Sequence, residues 1–475
     1  MRNFSQYKEK LHDMRKNIYI GGKLRGRDDQ LIRGGINVIG VTFNRAQDPE
    51  YEELVTTTSH LTGEKINRFN HIYRNEQDMM LKQKMVRTLC GQVGGCIQRC
   101  MGGDAINALY VVTKEIDAAM GTKYHDRFLK YLKYYQENDL IGNAAQSDVK
   151  GDRSKRPSGQ ADPDLYVRIV EKRDDGIIVS GCKAHNTTGP YADEIIVLPT
   201  RMMGKDEADW AVAFAIPADT QGVTLVCRST SPRPREELKA PFNEFGACDS
   251  MTVFDNVFVP WDRVFMCGET KFAGRLALAF ANNHRFSYCG CKPAVTDIIM
   301  GTTALVADYN GIGNEPHVVD ELSELMVTAE LVFAAGVAAA ATSKKTLSEA
   351  YEPNFLYSNC GRYHAGVNLY HEYDVLASIA GGLPATLPAE EDFFNEKTKA
   401  YMDKYIMRNP DISAEEQHRL FRFISDFSCS AYAGVFQYAG VHGGGSPIME
   451  KIGIRSFYDL ESKKNIAKHL AGIED

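Results

Sequence analysis

No stretch of this chain approaches the roughly 20 consecutive apolar residues that a membrane-spanning helix requires. Its most apolar helix candidate, Glu330 to Ser343, is short and alanine-rich. The opening stretch MRNFSQYKEKLHDMRKN alternates charge with apolar residues and lacks the apolar core of a secretory leader, so a cytoplasmic protein with no membrane association is expected. Basic tracts are equally scarce. With 55 Lys and Arg against 62 Asp and Glu the formal net charge is -7, and no arginine-rich arm stands out. That balance argues against a nucleic-acid partner and leaves a small molecule as the expected substrate. Internal repeats, low-complexity tracts and C-x-x-C knuckles are also missing.

What is present begins with length. The chain has 475 residues, 44% hydrophobic and 25% charged, which is enough for two or three domains with sizeable cores. Its eleven cysteines, an odd number without the density of a secreted disulfide scaffold, imply a reducing compartment and free thiols. Residues 1–140 read mostly as helix: Phe4 to Tyr19 is amphipathic, and Asn75 to Met120 is a near-continuous helical pattern interrupted by glycines. From Leu165 to about Phe265 the period becomes that of strands, with a hairpin signal at Asp174-Asp175-Gly176. Helical patterns return from Phe272, broken at Gly311–Pro316, Pro353, Gly381–Pro388 and Gly443–Pro447, and suggest a bundle. The expected fold class is α+β, with a helical unit (1–140), a middle β unit (141–270) and a C-terminal helical bundle (271–475).

Four side chains with metal-ligand chemistry fall in two tight groups, Cys96 and Cys100 in GGCIQRC, then His284 and Cys291 in NNHRFSYCGCK. A helical reading through Ile97-Gln98-Arg99 places the first two sulfurs on one face, and a spacing of seven does the same for His284 and Cys291. A thiolate-rich set with one imidazole suits an iron–sulfur cluster. Packed core cysteines and a structural zinc remain open alternatives on spacing alone.

Taken with INRFNHIYRN, YLKYYQENDLI, KGDR, DPDLYVRIVEKRDDGIIVSGCKAH, VFDNVFVPWDRVF, ADYNG, IAGGL and HGGGSP, these segments resemble the 4-hydroxyphenylacetate 3-hydroxylase flavoprotein family. Within it the likeness is to the branch of 4-hydroxybutyryl-CoA dehydratases. The resemblance runs nearly end to end and implies an acyl-CoA dehydrogenase-like architecture with a middle β-barrel, assembled as a homotetramer with FAD and a 4Fe-4S cluster. Carried over, the cluster ligands fall on Cys96, Cys100, His284 and Cys291. The flavin loop falls on Gln146 to Arg153, including Ser147, Asp148, Lys150 and Asp152. A second flavin segment falls on His185, Asn186, Thr187 and Thr188, with Thr187 facing the isoalloxazine near N5, and a glycine run follows His442 at Gly443 and Gly444. The implied reaction is radical dehydration of a 4-hydroxyacyl-CoA to an enoyl-CoA. His284 would serve both as iron ligand and as base at carbon 2, Tyr288 would hydrogen-bond the leaving oxygen, and Lys292 and Gln98 would lie close to the cluster.

Two positions depart from the branch. Asp249 stands where it has glutamate, and Ala439, three residues before His442, stands where a second glutamate is expected. Alanine cannot move a proton. The resemblance therefore also admits a dehydratase with an altered acyl-CoA substrate that fills the volume left at Ala439, a vinylacetyl-CoA Δ-isomerase that no longer dehydrates, a flavin-dependent phenol monooxygenase like the wider family, or an electron carrier that keeps only the cluster.

Overall fold

A computed structural model describes residues 1–473; the last two residues of the expected C-terminal unit lie outside it. The first helix, Phe4–Asp13, starts where Asn3 accepts from the Gln6 amide and the Gln6 side chain accepts from the Asn3 amide, satisfying two of the donors a helix start leaves free. It buries Tyr7 and Leu11 and stops before the expected Tyr19. The reason lies downstream. Gly21 and Gly22, both with positive φ, turn the chain so that Ile18–Ile20 pairs antiparallel with Lys23–Arg25, and Ile18 also pairs in parallel with Leu225. Two strands of the helical N-terminal segment thus belong to the central sheet.

The glycine-interrupted pattern resolves into two helices, Glu76–Gln92 and Cys100–Met120. Between them Gly94 is left-handed (φ 72°), which no continuing helix tolerates, and Cys96 lies in the connecting loop. The expectation that Cys96 and Cys100 share one helix face is therefore corrected. Cys100 opens the second helix while Cys96 approaches from the loop.

The middle segment forms two sheets and not the expected closed barrel. The larger has the strand order Lys23–Arg25, Ile18–Ile20, Val223–Thr230, Ala247–Pro260, Gly176–Thr187, Arg168–Lys172. The smaller runs Val264–Cys267, Val212–Pro217, Glu194–Val197, Gly142–Ala145. Among the described residues no edge strand of one sheet pairs with the other. Their apolar faces pack together instead, as in the edge-on contact of Phe214 and Phe254 with ring centroids 5.9 Å apart. The hairpin expected at Asp174-Asp175-Gly176 is present, with Lys172 opposite Ile177.

The C-terminal segment is built on one helix of 40 residues, Thr270–Tyr309, roughly 60 Å long at 1.5 Å per residue. It packs on Glu76–Gln92, Cys100–Met120, Pro316–Ala341 and Phe355–Ala380. This helix joins the two expected ligand groups. The helix candidate at Glu330 to Ser343 proves to be the second half of Pro316–Ala341, which by length and composition alone could cross a membrane, with mean hydropathy 1.6 over its most apolar 18 residues. The charges at Glu321, Glu324 and Glu330 interrupt that run in the sequence. A third of the apolar stretch is buried, and Met326, Val327 and Leu331 are exposed along it.

Candidate active site

Around the loop at 93–99, Cys90, Cys96, Cys100 and Cys291 pack into one group with Leu89, Val93, Ile97 and Ala294. Cys90, Cys96 and Cys100 each interact electrostatically with Cys291. The neighbouring thiol and burial push Cys96 well up, and burial does the same to Cys100. Backbone amides face the sulfurs: Gln98 donates to Cys96 Sγ at 3.3 Å and Ile97 to Cys90 Sγ at 3.4 Å. Cys100 also sits at a helix N-terminus, where the peptide dipoles favour a thiolate. As the chain stands, no three His, Cys, Asp or Glu side chains among the described residues are gathered tightly enough to hold a metal ion.

Gln98 itself adopts φ 62°, a backbone state that costs a non-glycine residue about 1 kcal/mol or more. Its side chain shows what holds it there. Buried, it donates to Gly246 O at 2.9 Å and accepts from the Tyr191 hydroxyl, which in turn accepts from the Cys248 amide at 3.3 Å. The sulfur loop is thereby tied to the start of the strand Ala247–Pro260, next to Asp249.

His284 lies one helix turn before Tyr288 and seven residues before Cys291, so the long helix presents all three along one side. The ring of His284 stacks on Phe280 (centroids 5.6 Å) and meets Tyr288 edge-on (5.1 Å), while Nδ1 is 2.9 Å from Oδ2 of the fully buried Asp104. Tyr288 donates to Ala439 O at 3.2 Å. Its ring carries two cations on its flanks, Arg362 at 4.7 Å and Lys292 at 5.6 Å. Burial drives the phenol well above its ordinary range despite Arg362, so Tyr288 keeps its proton. Lys292 is buried too, and desolvation lowers it against the pull of Cys291. The glycine run closes over this group. A Cβ at Gly443 would fall 1.7 Å from the Tyr288 hydroxyl, so nothing larger fits with the tyrosine in place.

The positions expected around flavin separate into two sets. Asp148 is buried and pairs with Lys183 at 2.7 Å; the same ammonium donates to Gln146 O at 2.8 Å and Leu198 O at 2.9 Å. Ser147 O accepts from the Ala184 amide. Beyond that anchor Lys150, Asp152 and Arg153 are exposed. On the strand Gly176–Thr187, His185 and the following Thr188 have positive φ, and Asn186 keeps a buried side-chain oxygen without a partner. Thr187 and Asp249 are direct cross-strand partners, and the threonine hydroxyl donates to Asp249 Oδ1 at 2.6 Å. Burial raises Asp249, with the Thr187 bond opposing the shift. His442 is exposed at the end of its helix.

The model of the 4-hydroxyphenylacetate 3-hydroxylase N-terminal region matches residues 3–266, and that of its C-terminal region matches residues 273–472. The chain belongs to this family. Within the family it is 40% identical, over 99% of both chains, to the 4-hydroxybutyryl-CoA dehydratase/vinylacetyl-CoA Δ-isomerase of Clostridium aminobutyricum. It is 26% identical to the oxygenase component of 4-hydroxyphenylacetate 3-monooxygenase from Thermus thermophilus, over 91% of this chain and 89% of that one. Among solved structures, an oxygen-tolerant archaeal 4-hydroxybutyryl-CoA dehydratase from N. maritimus superimposes with a TM-score of 0.96 at 36% identity, covering 100% of this chain and 95% of that one. A monooxygenase oxygenase component complexed with FAD shares the fold, with a TM-score of 0.89 at 23% identity over 99% of this chain and 98% of that one.

Sequence reasoning missed several residues that border this candidate site. Asp104 lies four residues after Cys100 on the same helix, a spacing that could have flagged it. Arg362 and Glu450 could not have been flagged, being distant in the chain and ordinary in context. Arg362 is fully buried, donates to Gly443 O and Val441 O at 2.9 Å each, and stands 3.8 Å from Glu450, whose carboxylate oxygens are buried without a hydrogen-bond partner. Arg285 donates to Gly444 O at 2.8 Å and to Asn359 at 2.7 Å. Two arginines thus hold the glycine run against Tyr288.

Proposed function

We propose that the chain is an acyl-CoA lyase that removes water from a 4-hydroxyacyl-CoA of the 4-hydroxybutyryl-CoA type to give an enoyl-CoA. The observation that carries this reading is the grouping of Cys96, Cys100 and Cys291 beside the long helix that also bears His284 and Tyr288, with the sulfur loop linked through Gln98 to the strand of the Thr187–Asp249 pair. The donor chemistry suits a 4Fe-4S cluster held by Cys96, Cys100, Cys291 and His284, with amides and a helix start facing the sulfurs and a carboxylate behind the imidazole. FAD would be held by Gln146 to Arg153, His185 to Thr188 and the run after His442, where Lys183 and the two arginines already fix the backbone. Together these groups would supply one-electron chemistry and a Lewis-acidic iron.

The chain's own side chains have narrower tasks. Tyr288, kept protonated, donates a hydrogen bond to the departing oxygen in place of Ala439 O. His284 removes the proton at carbon 2. Asp249 holds Thr187 through its hydroxyl, leaving the threonine lone pairs for a donor on the flavin. Lys292 lends positive charge beside the sulfurs, and the packed glycine run fixes the position of Tyr288 against Ala439 O. In this reading the chain divides at 140 and 270, with the strands at 18–25 exchanged into the middle unit. The exposed apolar face of Pro316–Ala341 supports a homotetramer, in which further copies would cover it.

Ala439 favours one second reading. It offers Tyr288 a carbonyl but no carboxylate, which suits a vinylacetyl-CoA Δ-isomerase that shifts a double bond without dehydration. Anaerobic protein, assayed for iron and acid-labile sulfide and then given 4-hydroxybutyryl-CoA and vinylacetyl-CoA separately, decides the matter. Turnover of both substrates is expected. Turnover of vinylacetyl-CoA alone would leave the isomerase, and protein lacking iron while hydroxylating a phenol would overturn both readings.

A further inference from the structure

The helix Ala414–Cys429 lies against the segment from Arg233 to Asn243, and the acids of that contact are already engaged. Asp426 Oδ2 accepts from Arg235 at 2.7 Å and from Asn243 at 3.1 Å. Glu390 is turned to the backbone, accepting from the Glu236 amide at 2.6 Å and the Leu238 amide at 3.0 Å. Arg422 is left over. It is only 4% exposed, yet its Nε and Nη2 have no hydrogen-bond partner among the described residues, and one turn further on Asp426 Oδ1 has none either. Burial and the charge of Arg235 lower the guanidinium from its ordinary value. Buried donors of a cation are costly to leave unpaired, so this group marks a place for an anion.

There is room for one beside it. A cavity of about 270 Å³, near the ~300 Å³ at which ligand pockets begin, is lined by Arg422 with Arg233, Arg235 and residues 387–391. Since Asp426 neutralises Arg235 and Glu390 faces amides, Arg233 and Arg422 set its sign against the exposed Glu391. The same segment reaches the candidate site. The Phe242 ring would lie 2.5 Å from a Cβ at Gly94 in the sulfur loop, and Gly246 O accepts from Gln98 at 2.9 Å. The positions expected around flavin, 146–153 and 185–188, do not line this cavity.

We propose that the cavity binds the phosphate-bearing nucleotide end of the CoA thioester, with Arg422 and Arg233 donating to phosphate oxygens and Asp426 Oδ1 accepting from a nucleotide hydroxyl or amine. The planar fork of arginine meets phosphate through paired bonds, which a lysine could not supply. The inference rests on the acyl-CoA reading above and places the part of the substrate that does not react.

Anaerobic holoenzyme given vinylacetyl-CoA and vinylacetyl-pantetheine, the same thioester without its nucleotide, tests it. Wild type should prefer the CoA ester. In Arg422→Gln the ratio of the two kcat/KM values should fall about 10–100-fold, the loss of a charged hydrogen bond to phosphate. A structural defect alone would depress both esters alike, so an unchanged ratio overturns the proposal. Should Arg422→Gln not fold, Arg233→Gln, at an exposed position, decides by the same ratio, which should fall several-fold. Wild type that turns over neither ester and binds no CoA in a calorimetric titration would remove the acyl-CoA reading and this inference together. Wild type that prefers the CoA ester beside variants that keep the preference would remove the inference alone.

Discussion

Replacing Gly443 with alanine tests how closely the glycine run is fitted to Tyr288. At φ -65° the backbone of Gly443 suits any L-residue, so the substitution carries no conformational penalty. The added Cβ nevertheless falls 1.7 Å from the Tyr288 hydroxyl and 2.8 Å from the carbon bearing it. Carbon and oxygen touch at about 3.3 Å, so either the ring or the run must shift by roughly 1.6 Å. Overpacking of this kind costs about 1–3 kcal/mol, and losing the Tyr288 bond to Ala439 O adds about 1 kcal/mol. Gly444→Ala is the control. Its φ of 76° makes alanine unfavourable by about 1–2 kcal/mol, yet the nearest atom to its Cβ is His284 Cδ2 at an ordinary 3.5 Å. Denaturant unfolding together with turnover of vinylacetyl-CoA should separate the two. Gly443→Ala is expected to lose most turnover, and Tyr288→Phe in the same chain should recover part of its stability but none of the activity. Gly444→Ala should lose stability, while its turnover per folded chain falls less than that of Gly443→Ala. Full activity in Gly443→Ala would show that Tyr288 is not held where the reaction needs it.

Other expectations follow from the same geometry. Cys96→Ser, Cys100→Ser and Cys291→Ser should each lower iron per chain, whereas Cys90→Ser, outside the proposed ligand set, should leave it near wild type; iron and sulfide analysis checks this. Arg362→Met leaves the Glu450 carboxylate buried without its cation and should cost about 3–5 kcal/mol in denaturant unfolding, unless Glu450→Gln is added. Burial pushes Glu372 up to about 7 from 4.5, against a bond from Thr296 and the charge of Lys292. Between those values the folded chain holds a proton that the unfolded chain has released. Its contribution is full below about pH 4.5 and lost as pH rises through 7, on the order of 3 kcal/mol in all. Glu372→Gln should flatten that part of the stability–pH curve, and an unchanged slope would place the effect elsewhere.

Much of the fold was legible because it follows local rules. The Asp-Asp-Gly turn, the breaks at Gly311–Pro316 and Pro353, and the placement of His284 and Cys291 on one helix all depend on neighbours in the chain. The loop at 93–99 was misread because Ile97-Gln98-Arg99 has helical composition, and what bends it is a distant bond from Gln98 to Gly246. The barrel failed for a similar reason: alternation reveals strands but not which edges meet. Motif likeness singled out His284 and Tyr288 as candidates; Asp104 offered only its spacing of four from Cys100, and Arg362 and Glu450, which pack behind the glycine run, carry no signal in a single sequence.

The Gln98 bridge has a mechanical consequence. Because one amide side chain clasps both the sulfur-bearing loop and the strand leading to Asp249, those two walls are coupled like jaws on a common pin. Any breathing that widened one would drag the other, so whatever admits a bulky thioester must yield on a different flank of the molecule.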